Sequence, residues 1–252
     1  MNRARLGAYL RFQLGDYLLH RAALPAAMIT IIVGLPIATM LRNGGHPFES
    51  AQGADLARQI FNSTVTLFLP LGAFLAATGI MSTDRHQGVF RFYFSKPVSV
   101  LAFYTQAYVL HGLVFVALFG AITWGFGALT VPQSVSGAMA AAALTFLLVG
   151  GVGFLLGALT RFDGAVLALV YVFSVLLQQI AVQPTRLPGG GLPAWVAQLS
   201  RILPPVHALD QLRGRLYASE VVDPAQLWHV AGYGAAAFIV GAVVLRRAPL
   251  AR

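Results

Sequence analysis

The chain has no cysteine, which excludes disulfides, thiolate metal sites and thiol nucleophiles. Charge is scarce as well. Asp, Glu, Lys and Arg make up 10% of the 252 residues, against roughly a quarter in a soluble domain that must keep its surface wet. The short periodic apolar stripes of a water-facing fold are also missing, because the 58% of residues that are hydrophobic fall in long runs. Acidic residues number 8 and basic residues 17, for a formal net charge of +9. The basic residues flank the apolar runs, which points to membrane lipid as a partner and not to nucleic acid.

A helix crosses the hydrocarbon core with about 20 apolar residues, because every backbone group there must be hydrogen-bonded within the segment. Runs of that length predict six spans, at residues 22–41, 61–81, 100–125, 138–159, 165–182 and 227–245. The first is too long for the apolar part of a cleavable signal peptide, and no small-residue cleavage site follows it. Pro36 and Pro70 are expected to kink their helices. The predicted fold is all-α, a single polytopic transmembrane domain over residues 1–252.

Lys and Arg concentrate on the cytoplasmic side of a membrane protein. With both termini inside, that side collects Arg3, Arg5, Arg11, Arg21, Arg85, Arg91, Lys96, Arg161, Arg246, Arg247 and Arg252. The other side keeps Arg42, Arg58, Arg186, Arg201, Arg213 and Arg215. Four of these six fall in the long segment between the last two spans, where the bias has least force. The expectation is a multi-pass protein of the cell (inner or plasma) membrane with both termini cytoplasmic.

Three segments outside the spans stand out. In residues 1–21, Leu6, Leu10, Leu14 and Leu18 recur every four residues among Arg3, Arg5, Arg11 and Arg21. This pattern suits an amphipathic helix in the cytoplasmic interface, or else a plain extension of the first span. The cytoplasmic loop 82–99 packs Phe90, Phe92, Tyr93 and Phe94 among Asp84, Arg85, Arg91 and Lys96. Aromatics with arginine favour a buried protein contact, and a lipid-surface helix would share that composition. Gly88 allows a bend and Pro97 ends the stretch. The external segment 183–226 breaks at Pro184, Pro188 and Gly189 to Gly191. An apolar run over 192–203 follows, too short to cross a bilayer, and stops at Pro204 and Pro205. It is expected to be a re-entrant or interfacial helical hairpin, with an ordinary loop as the alternative.

With these segments in view, the chain resembles the permease (transmembrane) subunit of a type-2 ABC exporter. That family has an N-terminal interfacial helix, six spans, a coupling helix after the second span and short re-entrant helices before the sixth. Asp84, Arg85, Gly88, Pro97, Val98 and Ser99 match the family's coupling-loop pattern at the same spacing, and Phe90, Phe92, Tyr93 and Phe94 fill its hydrophobic stretch. Leu192, Pro193, Ala194, Trp195, Leu199, Ser200, Pro204 and Pro205 are similar to the pattern before the last span. His86 stands where the family usually carries an acid, so the resemblance does not extend to a salt bridge from that position.

The resemblance implies that Asp84, Arg85, Gly88, Phe90, Arg91, Phe92, Tyr93 and Phe94 dock a separate ABC ATPase, two copies per transporter. It also implies that a second permease copy or a related permease completes the path. A phosphate-binding loop needs Gly-Lys-Ser or Gly-Lys-Thr, and the single lysine, Lys96, follows a serine. No cofactor is therefore expected in this chain, and ATP and Mg belong to the partner.

The spans carry little chemistry. His111 is the one ionisable residue expected inside them, and it suits a neutral histidine bonded to a neighbouring helix better than a proton relay. Gln106, Gln178, Gln179, Thr66, Thr78 and Thr145 can bridge helices. Gly150, Gly153 and Gly157 form a small-residue face for close helix packing. Two other functions were weighed. Ser136, Gly137 and His229 at span ends could serve an intramembrane hydrolase, but no orienting carboxylate accompanies them. A non-transporting assembly subunit of a membrane complex is the other alternative.

Overall fold

The computed structural model describes residues 11, 14–15, 31, 34, 38–39, 42, 50–81, 99–182 and 194–247. Nearly all of the expected interfacial helix and of the first expected span, the loop 82–98 and residues 183–193 of the expected external segment lie outside the described residues. Regular structure among them is helical: α1 (Ala51–Ala77), α2 (Val100–Leu129), α3 (Val135–Leu159), α4 (Asp163–Val182), α5 (Ala194–Ile202), α6 (Val206–Tyr217) and α7 (Pro224–Arg247). Five of these, α1 to α4 and α7, are long and apolar enough to cross a membrane.

The helix edges follow local chemistry. Ser99 and Ser134 cap α2 and α3, their hydroxyls accepting from the N–H groups of Ala102 and Gly137. α1 starts at Ala51, well before the expected residue 61. Ser50 caps it at 3.0 Å from the Gly53 nitrogen, and its polar first turns, with an exposed Asp55–Arg58 pair, are invisible to a hydropathy window. Its buried face, Ala57, Phe61, Val65, Leu69 and Ala73, repeats every four residues.

α3 is the centre of the bundle. Buried residues make up 67% of its most apolar stretch, against 39% or less in the other four long helices, and it packs against α1, α2, α4, α6 and α7. A helix surrounded on all sides must be thin, which explains Ala138, Ala141, Ala142 and its run of glycines. Gly151 meets the carbonyl of Gly234 on α7, and Gly234 meets the Leu147 carbonyl. A Cβ at Gly241 would lie 2.9 Å from the Leu155 Cα. The backbones of α3 and α7 therefore touch directly along parallel axes.

The other helices pack through side chains. Phe61 on α1 lies 5.0 Å from Phe126 on α2, and the α6 ring of Tyr217 meets Phe61 edge-on at 6.2 Å. Tyr108, Phe146, Phe154 and Phe238 join α2, α3 and α7, with Tyr108 stacked on Phe238 at 4.6 Å. The bundle thus has two ends. At one, α1 finishes at a turn closing on Met81 and α4 begins. At the other, α3 begins at Ser134, and Gly137 meets the Leu216 carbonyl of α6.

Candidate functional site

Polar side chains gather where α5 turns into α6. Pro204 and Pro205 have no N–H, and Pro205, the N-cap of α6, has no side chain that can cap. The Val206 N–H bonds the Pro204 carbonyl, and the next N–H, that of His207, needs an acceptor from elsewhere. Gln178 on α4 supplies it. Its Oε1 accepts from the His207 N–H at 2.7 Å, and its Nε2 donates to the Pro204 carbonyl at 2.6 Å. From α7, the Tyr233 hydroxyl donates to the carbonyl of Ile202 at 2.8 Å. Two neighbouring helices thus grip one turn.

That turn is deep in the bundle. Pro204 and Val206 line a small apolar gap with Leu148, Val149, Val152, Leu167, Val170 and Tyr171. Leu148 to Val152 lie about 20–25 Å along α3 from its first residue. From there α6 runs back toward Gly137, burying Leu209 and Leu212 against Leu144, Leu148 and Val230.

The other face of α6 is polar. Arg213 is 4% exposed and ion-paired to the half-exposed Asp210 one turn earlier. Arg213 Nη1 and the Tyr217 hydroxyl are buried with no hydrogen-bond partner among the described residues. Gln211 continues the strip, 3.0 Å from His207 Nε2 and 3.5 Å from Gln226 on α7. Beside the turn an open cleft of about 190 Å³ is lined by Gln178, Ser200, Arg201, His207 and His229 together with small apolar residues.

A second polar junction occupies the Met81 end. Asp163, the first residue of α4, is 4% exposed. Its Oδ2 accepts from the Gly79 N–H at 3.1 Å and its Oδ1 from the Gly164 N–H at 2.7 Å. Gly79 has φ 76, a left-handed conformation that glycine adopts without strain. A carboxylate is suited to the N-terminal end of a helix, where free N–H groups and the helix dipole stabilise negative charge.

The eight residues expected to dock a partner, Asp84, Arg85, Gly88, Phe90, Arg91, Phe92, Tyr93 and Phe94, lie outside the described residues. The turn at Gly79 to Met81 leads directly into their segment. Gly150, Gly153 and Gly157 are buried on α3. A Cβ at Gly150 would lie 3.0 Å from the Tyr108 ring, one at Gly153 3.2 Å from Leu167, and one at Gly157 3.5 Å from both Met81 and Asp163. The closest approaches of α3 to neighbouring backbone are instead at Gly137, against α6, and at Gly151, against α7. His111 Nδ1 donates to the Ala76 carbonyl at 2.9 Å, joining α2 to α1. Thr145 bonds back to Ala141 of its own helix, not across to a neighbour. Ser136 is exposed at the start of α3, and the cleft lined by His229 does not include it.

Two ionisable residues are buried against expectation, Asp163 and Arg213. Asp163 falls between the expected spans 138–159 and 165–182, and an acid just before an apolar run marks a helix start. Arg213 belongs to the cations expected on the external side. Its i,i+3 spacing from Asp210, among Leu209, Leu212 and Leu216, is the signal that places it on a packed helix. The chain has the helices of a multi-pass membrane protein. In comparisons with known proteins it matches no protein-family model and no curated protein.

Proposed function

We propose that this chain is the transmembrane permease subunit of a type-2 ABC exporter, with six spans and both termini cytoplasmic in the cell membrane. Residues 1–21 form the interfacial helix, the loop 82–99 docks a separate ATPase, and the segment 183–226 re-enters the membrane before the last span. The observation that carries this reading is the α5–α6 turn, whose Pro204 and Val206 lie beside Leu148, Val149 and Val152 among helices long enough to span. Gln178 holds the Pro204 carbonyl and the His207 N–H, and Tyr233 holds the Ile202 carbonyl, so the turn has the satisfied backbone that non-helical chain within a bilayer requires. The match of Asp84, Arg85, Gly88, Pro97, Val98 and Ser99 to the coupling-loop pattern supports the same reading.

In this mechanism two ATPase copies hold ATP and Mg and close on them. Their motion presses on the aromatic stretch from Phe90 to Phe94, and the spans, paired with those of a second permease, open a path outward. The chain's own contribution is the path and the docking surface.

Co-purification with an ABC ATPase subunit tests the proposal. Arg91→Glu places an acid where the interface accommodates a cation, and Phe90→Asp removes an apolar anchor. A desolvated interfacial charge change costs on the order of 2–5 kcal/mol, enough to abolish most binding. Each variant should accumulate normally, retain little ATPase and fail to stimulate its hydrolysis. Normal binding and stimulation by both variants would overturn the proposal, and binding without any stimulation by the unaltered chain would mark an assembly subunit.

A further inference from the structure

α4 packs against α3, α5 and α6, and a polar side chain fastens it near each end. At its first residue, Asp163 holds the Gly79 N–H beyond the end of α1. Further along, Gln178 holds both the Pro204 carbonyl and the His207 N–H. The two residues are about 22 Å apart along the helix. A carboxylate that accepts from backbone N–H groups in a buried site makes a stronger bond than a neutral acceptor would. The Gly79 turn is itself held down, because Met81 is 1% exposed and packs near Gly157. A displacement of that turn therefore meets α4 through a stiff contact, and the far end of α4 meets the turn at 204–207 through another.

We propose that α4 is a lever. It carries displacement of the turn at 78–81 through Asp163 and delivers it through Gln178 to the turn at 204–207, so that the start of α6 responds to events at the opposite end of the bundle. The proposal rests on the function proposed above in naming the driving event, an ATPase acting on the segment that begins after Met81. Asp163 and Gln178 are positioning residues, acting through the backbone groups they hold.

Amide hydrogen exchange on the purified chain in nanodiscs, with no ATPase present and peptides covering 204–209, tests the lever. Gln178→Ala removes both bonds and should speed exchange at His207 about 2- to 10-fold, the effect of losing one net hydrogen bond. Asp163→Ala, at the far end, should speed the same amide by at least about 2-fold. Asp163→Asn keeps an oxygen that can accept from Gly79 and should restore most of the protection. Added to Gln178→Ala, Asp163→Ala should have no further effect at 204–209, since the lever is already disconnected there. Unchanged exchange at 204–209 in Asp163→Ala, with faster exchange confined to residues 78–81 and 163–166, would overturn the lever and leave Asp163 a local clamp. If Asp163→Ala fails to accumulate, Asp163→Ser, whose shorter side chain does not reach Gly79, takes its place with the same two outcomes. Because no ATPase takes part, failure here leaves the proposed function standing, and failure of the docking test leaves this one readable.

Discussion

The side-chain oxygen of Gln178 lies 2.7 Å from the backbone nitrogen of His207, so the cap of α6 comes from a different helix. Caps are ordinarily local, supplied by Ser, Thr, Asp or Asn at the position before the helix. Here Pro205 occupies that position, and an amide on α4 replaces the missing oxygen. The same amide satisfies the Pro204 carbonyl, so one residue fixes both strands of the turn.

Gln178→Leu keeps an apolar body of similar size but leaves the half-buried His207 N–H without its acceptor, while the Pro204 carbonyl keeps only its bond from the Val206 N–H. Loss of about 1–3 kcal/mol is expected, measured by chemical unfolding in micelles. Gln178→Glu retains the acceptor for His207 and should stand between the parent and Gln178→Leu. An unchanged midpoint in Gln178→Leu would mean that water replaces the amide.

The backbone contact between α3 and α7 makes its glycines unequal to others on the same helices. Gly151→Ala sets a methyl group against the Gly234 carbonyl and should cost roughly 1–3 kcal/mol or more, because the opposing atoms are backbone. Gly232→Ala has nothing within 4 Å of the added carbon, so it should be neutral or stabilise α7 by about 0.5–1 kcal/mol. Thermal unfolding of the two variants side by side checks the contrast, and equal midpoints would contradict it.

Asp210 and Arg213 should respond asymmetrically. Asp210→Asn leaves a buried guanidinium without its counter-charge and should cost about 1–3 kcal/mol, less than a fully buried pair because Asp210 is half exposed. Arg213→Met removes the buried charge and should be tolerated better. Unfolding midpoints that rank the two variants the other way would show that the pair itself, and not the lone cation, sets the energy.

Topology is testable without background labelling, since the chain has no cysteine. Cysteines at Ser134 and Thr185 should react with an impermeant thiol reagent from outside sealed cells, and one at Arg247 should not. Labelling at Arg247 would overturn the arrangement of both termini in the cytoplasm.

Much of the bundle was legible because hydropathy reports the part of a helix that leaves water. The runs at 100–125, 138–159, 165–182 and 227–245 all became helices, three of them extended by a few residues near polar or capping positions and α2 by the apolar Phe126 to Leu129. The start of α1 was misplaced because hydropathy does not count its polar first turns. The apolar run at 192–203 contained α5, whereas α6 was harder to see because its faces alternate between Leu209 or Leu212 and Asp210 or Arg213. The site was legible in half. Gln178 was recognisable as a residue able to bridge helices, but its partners are the backbone groups of Pro204 and His207, which carry no side-chain signature. Gly150, Gly153 and Gly157 were visible as a helical stripe. Gly151 was not, because its close approach depends on Gly234, a residue far away in the chain.

Helices that meet through interdigitated side chains can slide by changing rotamers, at small cost for each step. α3 and α7 have no such layer between Gly151 and Gly234, so any relative shift brings carbonyl oxygens against Cα atoms. The two behave mechanically as one post. Shape change in the molecule then falls to its periphery, where α1, α2 and α4 are held to the post by aromatic rings, leucines and a few hydrogen bonds that can exchange partners. Variation that enlarges residues along the post would be felt as loss of fold, whereas variation at the periphery would be felt as altered motion.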